Sequence, residues 1–523
     1  MKTARRVCLA SMIFLALCSS NATAQSCTVQ MPQPVPGQRY VVAISDLHFG
    51  AGKVDGAWSP KEDFKWHNAL AGFLDKVSAC AGDKVDLVIA GDMLELWQTH
   101  DNKKCAKTSG DAGCTVDELT TRVKTVVTQH SQDLALFGKF ADRGENRVFV
   151  VPGNHDSALL FAAPWKEVVA MMKSVHGRIS RVDSGLWRSA DGRILVEHGH
   201  QIGSDLNKYP RWPDVSISDA SGASFVERPW GEQFVQELFN EQEDVYPVID
   251  NLSPESTGAK LRMADRGAWK SAKDMAQFVR FNLLETSLSQ KGSVLSKQDD
   301  SSSDWVDVQI ARTKGHKLFV AAMDSQDPFR VELIADAVSS ADLRRELDEL
   351  AKTMPDEEIK AMCVASKLRG ASASLCSTGT LGAMTQKLLH SRDDVLRTHL
   401  KARIKEAGNA NVRIFVYGHT HSLETLRELK LSDSKTVNVL NTGAFQRVID
   451  EQNFLRLAAK KGYAKPSEAL KGLRVENLMP CYSAVLIASD PQRAEARTVY
   501  WKADENEPGA FIATKDASCQ VAL

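Results

Sequence analysis

The chain has 523 residues, 43% hydrophobic and 25% charged, so it can bury a large core and form one enlarged domain or two. Its formal net charge is −1 at pH 7, without a Lys- or Arg-rich stripe or tail. Because binding to a phosphate backbone needs clustered positive charge, this composition argues against a dedicated nucleic-acid-binding protein.

The first residues predict an export signal. Basic residues stand at positions 2, 5 and 6, an apolar run covers 7–18, and Ala22-Thr23-Ala24 forms a small-residue cleavage site. The apolar run is too short to span a bilayer as a permanent helix. We therefore expect a signal peptide over 1–24 and an exported mature chain, periplasmic or secreted, without a transmembrane segment.

Short apolar runs rich in β-branched residues predict buried strands at five places along the chain. They cover residues 41–45, 85–90, 147–151, 193–196 and 412–417. A polar segment follows each run directly. Because α/β sheets place their sites in the loops after the strands, we expect these polar segments to meet at one edge.

These polar segments supply carboxylates, imidazoles and one carboxamide. In chain order they are Asp46-Leu47-His48, Gly91-Asp92, Gly153-Asn154-His155-Asp156, Glu197-His198-Gly199-His200 and Gly418-His419-Thr420-His421, with Asn441-Thr442-Gly443 after them. Such groups can hold two divalent transition metals side by side. Any one segment could be a turn or a chance tripeptide, but the ordered set, each at a strand end, predicts a metal site.

The ordered motifs D-x-H, G-D, G-N-H-[D/E], H and G-H-x-H resemble those of the calcineurin-like metallophosphoesterase superfamily. The segments over 45–50 and 91–97 are similar, more narrowly, to the branch that contains UDP-2,3-diacylglucosamine hydrolases. The resemblance covers about residues 38–206 and 411–502. It implies an α/β fold, a two-sheet αββα sandwich, over the core at 25–206 and 411–523.

The resemblance also implies a role for each side chain. One divalent ion would be held by Asp46, His48 and His421, the other by Asn154, His198 and His419, with Asp92 as the bridge. A hydroxide shared by the two ions would attack phosphorus. Nitrogen and oxygen ligands accept Mn, Fe, Co or Zn, so the metal stays open.

Three further residues are assigned supporting or catalytic roles by the same resemblance. His155 would protonate the leaving alkoxide or stabilise the phosphoryl oxygens, and Asp156 would orient its ring. His200 would lie behind the ligands and support them, with His198 as the ligand of that pair. No direct role follows for the segment over 441–443.

The cysteines predict disulfides, because eight remain after the signal segment, an even number in an oxidising compartment. Position favours four pairs: Cys105 with Cys114, Cys363 with Cys376, Cys481 with Cys519, and Cys27 with Cys80. The first two would close local loops, and the others would tie down the chain ends. Zinc–thiolate binding is the alternative, although the chain has no C-x-x-C pair.

The stretch over 207–410 predicts a large, mainly helical insertion, since apolar residues recur at helical spacing, as at Leu343, Leu347 and Leu350. A polar loop is expected over 296–304. In this stretch Trp212, Trp230 and Tyr246 could face a substrate, although such residues more often belong to a core. The histidines without a motif, expected at the surface, are His316, His390 and His399.

The insertion enters directly behind His200 and leaves directly before the strand that carries His419 and His421. We therefore expect it to cap the metal site and select substrates. Two other interpretations are that it completes the core of the sandwich, or that it docks a partner.

Together these features predict an exported, binuclear-metal-dependent phosphoesterase that hydrolyses a phosphomonoester or phosphodiester, either a small molecule or a lipid-linked compound. An alternative is a pyrophosphatase acting on a nucleotide-diphosphate-linked or lipid substrate. A third hypothesis, from another class, is a non-catalytic protein that binds a phosphate ligand. It is disfavoured because neither a ligand nor the His155 position is missing.

Overall fold

The structure is a computed structural model, and it describes most of the two flanking parts of the chain and pieces of the stretch between them. The described ranges are 39–106, 112–202, 207–218, 222–229, 240–253, 308–322, 341–356, 392–408, 411–489, 494–504 and 509–515, with a few isolated residues besides. The expected signal peptide and the polar loop over 296–304 lie outside the described residues.

The first part of the chain alternates strands with helices. The strands are β1 (Tyr40–Ile44), β2 (Lys53–Val54), β3 (Ala57–Trp58), β4 (Val85–Ala90), β5 (Ala112–Thr115), β6 (Arg147–Val151), β7 (Ile179–Arg181), β8 (Leu186–Arg188) and β9 (Ile194–Glu197). The helices are α1 (His67–Cys80), α2 (Val116–Gln129), α3 (Ser131–Asp142) and α4 (Ala162–Met172). A capping box at Thr115 and Glu118 begins α2, where it satisfies exposed backbone donors.

The middle stretch contains both strands and helices. They are β10 (Ser216–Ser218), β11 (Ser224–Glu227), α5 (Asn240–Glu243), β12 (Leu252–Ser253), α6 (Val308–Arg312), α7 (Gly315–Ala322), α8 (Ala341–Thr353) and α9 (Arg392–Glu406). The leucine spacing that predicted a helix at 343–350 falls within α8. Helices α6, α7 and α8 pack on one another.

The last part of the chain is richer in strands. It forms β13 (Ile414–Tyr417), β14 (Leu423–Ser432), β15 (Lys435–Thr442), β16 (Ile449–Asp450), α10 (Glu451–Lys460), α11 (Pro466–Gly472), β17 (Cys481–Ser489), β18 (Ala494–Lys502) and β19 (Ala510–Ala513).

Two large sheets form the centre of the fold. One has the strand order β19-β18-β17-β1-β4-β6-β7, and the other has the order β14-β15-β13-β9-β8. Strands β1, β4, β6 and β7 run parallel, as do β9, β13 and β15. Buried residues of both sheets pack in one hydrophobic cluster, for example Ala43 and Val88 with Val196 and Val416. The α/β sandwich predicted from the sequence is confirmed.

Helices cover the outer faces of the two sheets. Phe73 of α1 and Phe137 of α3 pack with Val42 and Leu87 of the first sheet. On the second sheet, Leu396 and Leu400 of α9 pack with Phe415, Val439 and other strand residues. Helix α9 therefore completes the αββα layering, although it lies inside the range predicted as an insertion.

His399 of α9 is not a surface residue, contrary to the expectation. Its Nε2 contacts the buried carboxylate of Glu197, which also accepts a hydrogen bond from Arg403 Nε at 2.9 Å. Residues without a sequence motif can still be buried when a partner neutralises the charge they face. His316 is partly buried beside Asp348, and His390 lies outside the described residues.

The beginning of the middle stretch also belongs to the core. Tyr209, Val248, Ile249 and Leu252 pack in the main hydrophobic cluster. Strand β12 pairs in parallel with β16, which lies beyond residue 410. The division of the chain at 207 and 410 remains a prediction. The predicted cap over the metal site also remains a prediction, and it now concerns the residues between Ser253 and α9.

Three of the predicted cysteine pairs form disulfides. The Cα atoms are 4.9 Å apart in Cys105–Cys114, 5.6 Å in Cys363–Cys376 and 5.9 Å in Cys481–Cys519, within the normal span of a disulfide. Cys80 is also disulfide-bonded. Cys27, the partner predicted for Cys80, lies outside the described residues.

Candidate metal centre

The loops after β1, β4, β6, β9 and β13 meet at one edge of the sandwich. Main-chain hydrogen bonds join them, from Asp46 N to Gly91 O at 3.0 Å, from His48 N to Asp92 O at 3.1 Å, and from Gly418 N to His198 O at 2.7 Å. These bonds hold the loops against one another, and the side chains of the loops face a common space.

The backbone at this edge is strained. Positive φ angles occur at Asp46 (53°), His48 (49°), Asp92 (49°), His419 (72°) and His421 (50°). Non-glycine residues rarely adopt this left-handed region, and such strain gathers at functional sites. Gly91 has a φ of 91°, and a Cβ atom there would lie 2.3 Å from the His198 ring, so only glycine fits.

The first ligand group consists of Asp46, His48 and His421, whose ligand atoms lie within 4.8 Å of one another. Asp46 Oδ1 is 3.3 Å from His421 Nε2 and 3.9 Å from His48 Nε2. Both Asp46 Oδ1 and His48 Nε2 are buried without a hydrogen-bond partner among the described residues. Since buried polar atoms are normally satisfied, a cation between these groups fits the arrangement.

The second ligand group consists of Asp92, His198 and His419, again with ligand atoms within 4.8 Å. His198 Nε2 lies 2.9 Å from Asp92 Oδ2 and 2.8 Å from Asn154 Oδ1. His198 Nδ1 donates to the main-chain oxygen of Ala90 at 2.9 Å, which directs Nε2 towards the site. Of the His198 and His200 pair, His198 is thus the one aimed at the carboxylate.

Asp92 lies between the two groups. Its Oδ2 is 2.9 Å from His198 Nε2 and 4.0 Å from His48 Nε2. Burial would raise the pKa of this carboxyl, but His198 and His155 outweigh it and hold the pKa well below 3.8. An ionised carboxylate between two ligand groups is what a bridged two-metal site requires.

Glu95 is a residue whose role the sequence interpretation missed. Its Oε2 accepts from His48 Nδ1 at 2.9 Å and from His155 Nδ1 at 2.5 Å. Its Oε1 accepts from the main-chain nitrogens of Trp97 and Gln98. Burial acts to raise the pKa of Glu95, but His155 and His48 lower it to about 2. Its position three residues after Asp92, in a motif segment, was the available signal.

Asp156 does not orient the His155 ring, contrary to the expectation. Its carboxylate accepts from the main-chain nitrogens of Gly153 at 2.6 Å and Met93 at 2.8 Å. Glu95 occupies the place that was predicted for Asp156. The reason is geometric: the Asp156 side chain faces the loop after β4 and ties it to the loop after β6.

His155 stands beside the first ligand group with its ring held on several sides. Trp97 stacks on it at 3.9 Å between centroids, and the His48 ring meets it edge-on at 4.7 Å. Burial would lower the pKa of His155, but Glu95 and Asp92 raise it above 6.5. Since Nδ1 is engaged by Glu95, Nε2 is the nitrogen that can give up a proton.

His200 lies behind the ligands, against the rings of His198 and Trp212, at centroid distances of 5.4 and 4.3 Å. Burial, with His198 and His419 nearby, holds its pKa well below 6.5, so the ring is neutral. Tyr209 donates its hydroxyl proton to Asn154 O at 3.1 Å, a contact that was not expected.

The aromatic residues of the middle stretch that the structure describes have different surroundings. Trp212 packs against the site through His200. Tyr246 is buried in the main core, which is the commoner fate of such residues. Trp230 lies outside the described residues.

The segment over 441–443 supports the two histidines of the last motif. Asn441 Nδ2 donates to Gly418 O and to Thr420 Oγ1, both at 3.1 Å. The hydroxyls of Thr442 and Ser45 are 2.6 Å apart. These bonds fix the turn that carries His419 and His421 against the loop after β1.

The calcineurin-like phosphoesterase family model matches residues 40–274. Over these residues the chain is similar to calcineurin-like phosphoesterases. The superfamily predicted from the motifs is confirmed, while the narrower resemblance to UDP-2,3-diacylglucosamine hydrolases stays a prediction. A search of curated proteins finds no match to the chain.

The family and the two ligand groups together support a metal-dependent phosphoesterase. The donor set of carboxylates, imidazoles and one carboxamide suits intermediate divalent ions. The assignment of each residue to one ion, and of His155 to catalysis, stays a prediction, whereas the residue that contacts the His155 ring is Glu95 and not Asp156.

Proposed function

We propose that this protein hydrolyses phosphomonoesters or phosphodiesters with two divalent metal ions held by the groups described above. The observation that carries the proposal is the position of Asp92 Oδ2, within 2.9 Å of His198 and 4.0 Å of His48. When bound, two such ions would supply a hydroxide at neutral pH and neutralise phosphoryl oxygens.

The residues of the chain contribute the proton that the leaving oxygen takes up, and they hold the proton donor in position. Hydrolysis forms one P–O bond from water and breaks the bond between phosphorus and the leaving oxygen. His155 Nε2 gives its proton to that oxygen, and Glu95 keeps the ring in place through Nδ1. The stacked Trp97 ring restricts rotation of the imidazole and excludes water from one face.

We also propose that the protein is exported to the periplasm or secreted. The predicted signal segment and the disulfides support this location, since disulfides persist in oxidising compartments. Among the helices of the described residues, none is both long and apolar enough to cross a membrane.

The experiment is hydrolysis by the mature protein, stripped of metal and reloaded separately with Mn, Fe, Co or Zn. Substrates are an aryl monoester, an aryl diester, a nucleotide-diphosphate sugar and a lipid phosphate. We expect turnover of a monoester or diester, with two ions per chain. Turnover of the nucleotide-diphosphate sugar alone would favour the pyrophosphatase, and phosphate binding without any turnover would favour the non-catalytic alternative.

A further inference from the structure

A cavity of about 380 Å³ adjoins the metal centre at His421. It lies between the beginning of β14, the beginning of α10 and strands β17 and β18. Its described lining is Ser253, His421, Ser422, Leu423, Val448, Ile449, Asp450, Asn453, Met479, Ser483, Tyr500, Thr514 and Cys519. The volume is within the range of small-molecule sites.

The polar groups of this lining are mostly neutral. Hydroxyls come from three serines, Tyr500 and Thr514, a carboxamide comes from Asn453, and the described lining residues include no Lys or Arg. Asp450 adds one carboxylate, which accepts from Asn453 N at 2.9 Å and Nδ2 at 2.6 Å. A second phosphate would be repelled here, whereas hydroxyl groups of a ligand would find both donors and acceptors.

Hydrogen bonds and strand pairing fix the cavity wall next to His421. Ser253 Oγ donates to His421 O at 3.1 Å and lies 2.8 Å from Ser422 Oγ. Strand β12, which carries Ser253, is fixed by its pairing of Leu252 with Ile449. The middle stretch of the chain thus supplies part of a wall that adjoins a predicted metal ligand.

The position of the cavity relates it to the leaving group. His421 belongs to the ligand group of His48, and the proton donor His155 contacts that same His48 ring at 4.7 Å. The cavity and the proton donor therefore flank the same ligand group. In the proposed reaction, the leaving oxygen lies within reach of His155, and the group attached to it must be accommodated beside this ligand group, which the cavity adjoins at His421.

We propose that the cavity binds the alcohol portion of the substrate, and that this portion is a neutral polyhydroxylated group such as a sugar or polyol. The proposal rests on the proposed phosphoesterase function. Leu423, Val448, Ile449 and Met479 supply the apolar surface against which the ring or carbon chain of such a group would pack.

Direct binding tests the cavity independently of catalysis. The metal-stripped full chain is mixed with methyl α-glucoside, N-acetylglucosamine or myo-inositol, and contact is measured by saturation-transfer NMR. Asn453→Leu fills the cavity while the main-chain N–H to Asp450 is kept. Gln452→Leu, on the exposed face of the same helix, is the matched control. Tyr500→Phe removes one hydroxyl at nearly constant volume.

We expect at least one of the three probes to bind the wild type and Gln452→Leu, and to lose contact with Asn453→Leu. Tyr500→Phe should weaken binding by roughly fivefold, the worth of about one hydrogen bond. Absence of binding to the wild type, or equal binding to both leucine variants, would overturn the site.

Kinetics on the metal-loaded enzyme test the assignment to the leaving group. In Asn453→Leu, KM for a hexose 1-phosphate should rise about tenfold or more relative to Gln452→Leu, as expected when a binding contact worth about 1.4 kcal/mol is lost. KM for 4-nitrophenyl phosphate should stay within about twofold. Equal effects on both esters would overturn the leaving-group role even if sugars bind. Loss of the proposed function itself is a separate outcome, in which the wild type hydrolyses neither ester.

Discussion

At the scale of residues, the candidate centre depends on a carboxylate that organises two histidines. Glu95 Oε2 contacts both His48 Nδ1 and His155 Nδ1, and so connects a predicted ligand with the predicted proton donor. Supports of this kind fix the tautomer of a ligating histidine, and their loss typically costs 10- to 100-fold in metal affinity or activity.

Replacing the bridging residue should disable both ion positions. In Asp92→Asn, kcat should fall by at least about a hundredfold with reduced metal content, because a neutral amide cannot hold two dications as a shared carboxylate can. Elemental analysis and turnover of the same sample provide the measurement. Two ions per chain together with wild-type turnover would refute the bridging role.

Removing the proton donor should spare the metals. His155→Ala should keep both ions but lose roughly 10²–10⁴ in rate, the usual contribution of general acid catalysis. The loss should be larger for alkyl than for activated aryl esters, since a good leaving group needs no proton. Equal losses for both would mean that His155 stabilises phosphoryl charge instead.

Glu95 should be coupled to His155. Glu95→Gln should lower kcat by about tenfold or more in the wild-type background, and by less in the His155→Ala background. Any remaining loss in the double variant measures the support of His48, and metal affinity reports that part directly. Fully additive losses would show that Glu95 does not act through His155.

At the scale of elements, His130, at the junction of α2 and α3, packs against the loop after β1 and supports it. His130 stacks on Phe49 with a centroid distance of 4.8 Å, and its Nε2 lies 3.2 Å from Glu62 Oε2. Glu62 in turn accepts from the main-chain nitrogens of Gly52 and Phe64. The loop that carries Asp46 and His48 therefore rests on a buried imidazole–carboxylate pair.

This pair predicts a loss of stability at alkaline pH. Burial lowers the pKa of His130, but Glu62 and Asp133 raise it to about 9 from 6.5. A raised pKa stabilises the folded state fully below about pH 6.5, and this contribution of roughly 3 kcal/mol is lost as pH rises through 9. Denaturant unfolding should therefore show the wild type weakening between pH 6.5 and 9.5. A pH dependence in His130→Phe as steep as in the wild type would contradict this origin.

At the scale of the whole molecule, the two sheets deliver their ligands to one edge, and the middle stretch is partly built into the sandwich. Leu252 packs in the main core, and α9 covers the second sheet. This arrangement leaves the division at 207 and 410 as a prediction, because residues on both sides of those positions contribute to the core. It predicts that the position of a deletion, not its size alone, decides whether the protein folds.

Two shortened chains separate these possibilities. Replacing 262–391 with a Gly/Ser connection removes α6–α8 and the whole Cys363–Cys376 pair, and should leave a soluble protein that binds two metals. Replacing 213–405 also removes α9 and strand β12, so buried residues such as Phe415 become exposed and the chain should be insoluble or metal-free. Solubility and metal content give the answer. Soluble, metal-binding protein from both chains would place α9 outside the folding core.

The sequence alone predicted the superfamily, the two-sheet sandwich and the set of residues that meet at one edge of it. Strand runs and strand-end motifs are local signals, and parallel strands bring their ends together by geometry alone. Three cysteine pairs also followed from position along the chain.

Only the tertiary structure decided which side chains face each other. Asp156 and Glu95 are both acidic residues near a motif, yet it is Glu95 that accepts the hydrogen bond from His155 Nδ1, because the loop after β4 turns it inward. In the same way, His399 and α9 have no motif. The contact of His399 with Glu197 joins residues 202 apart along the chain, and the place of α9 on the second sheet depends on packing. Such contacts depend on distances in space, which a local pattern of residues does not encode.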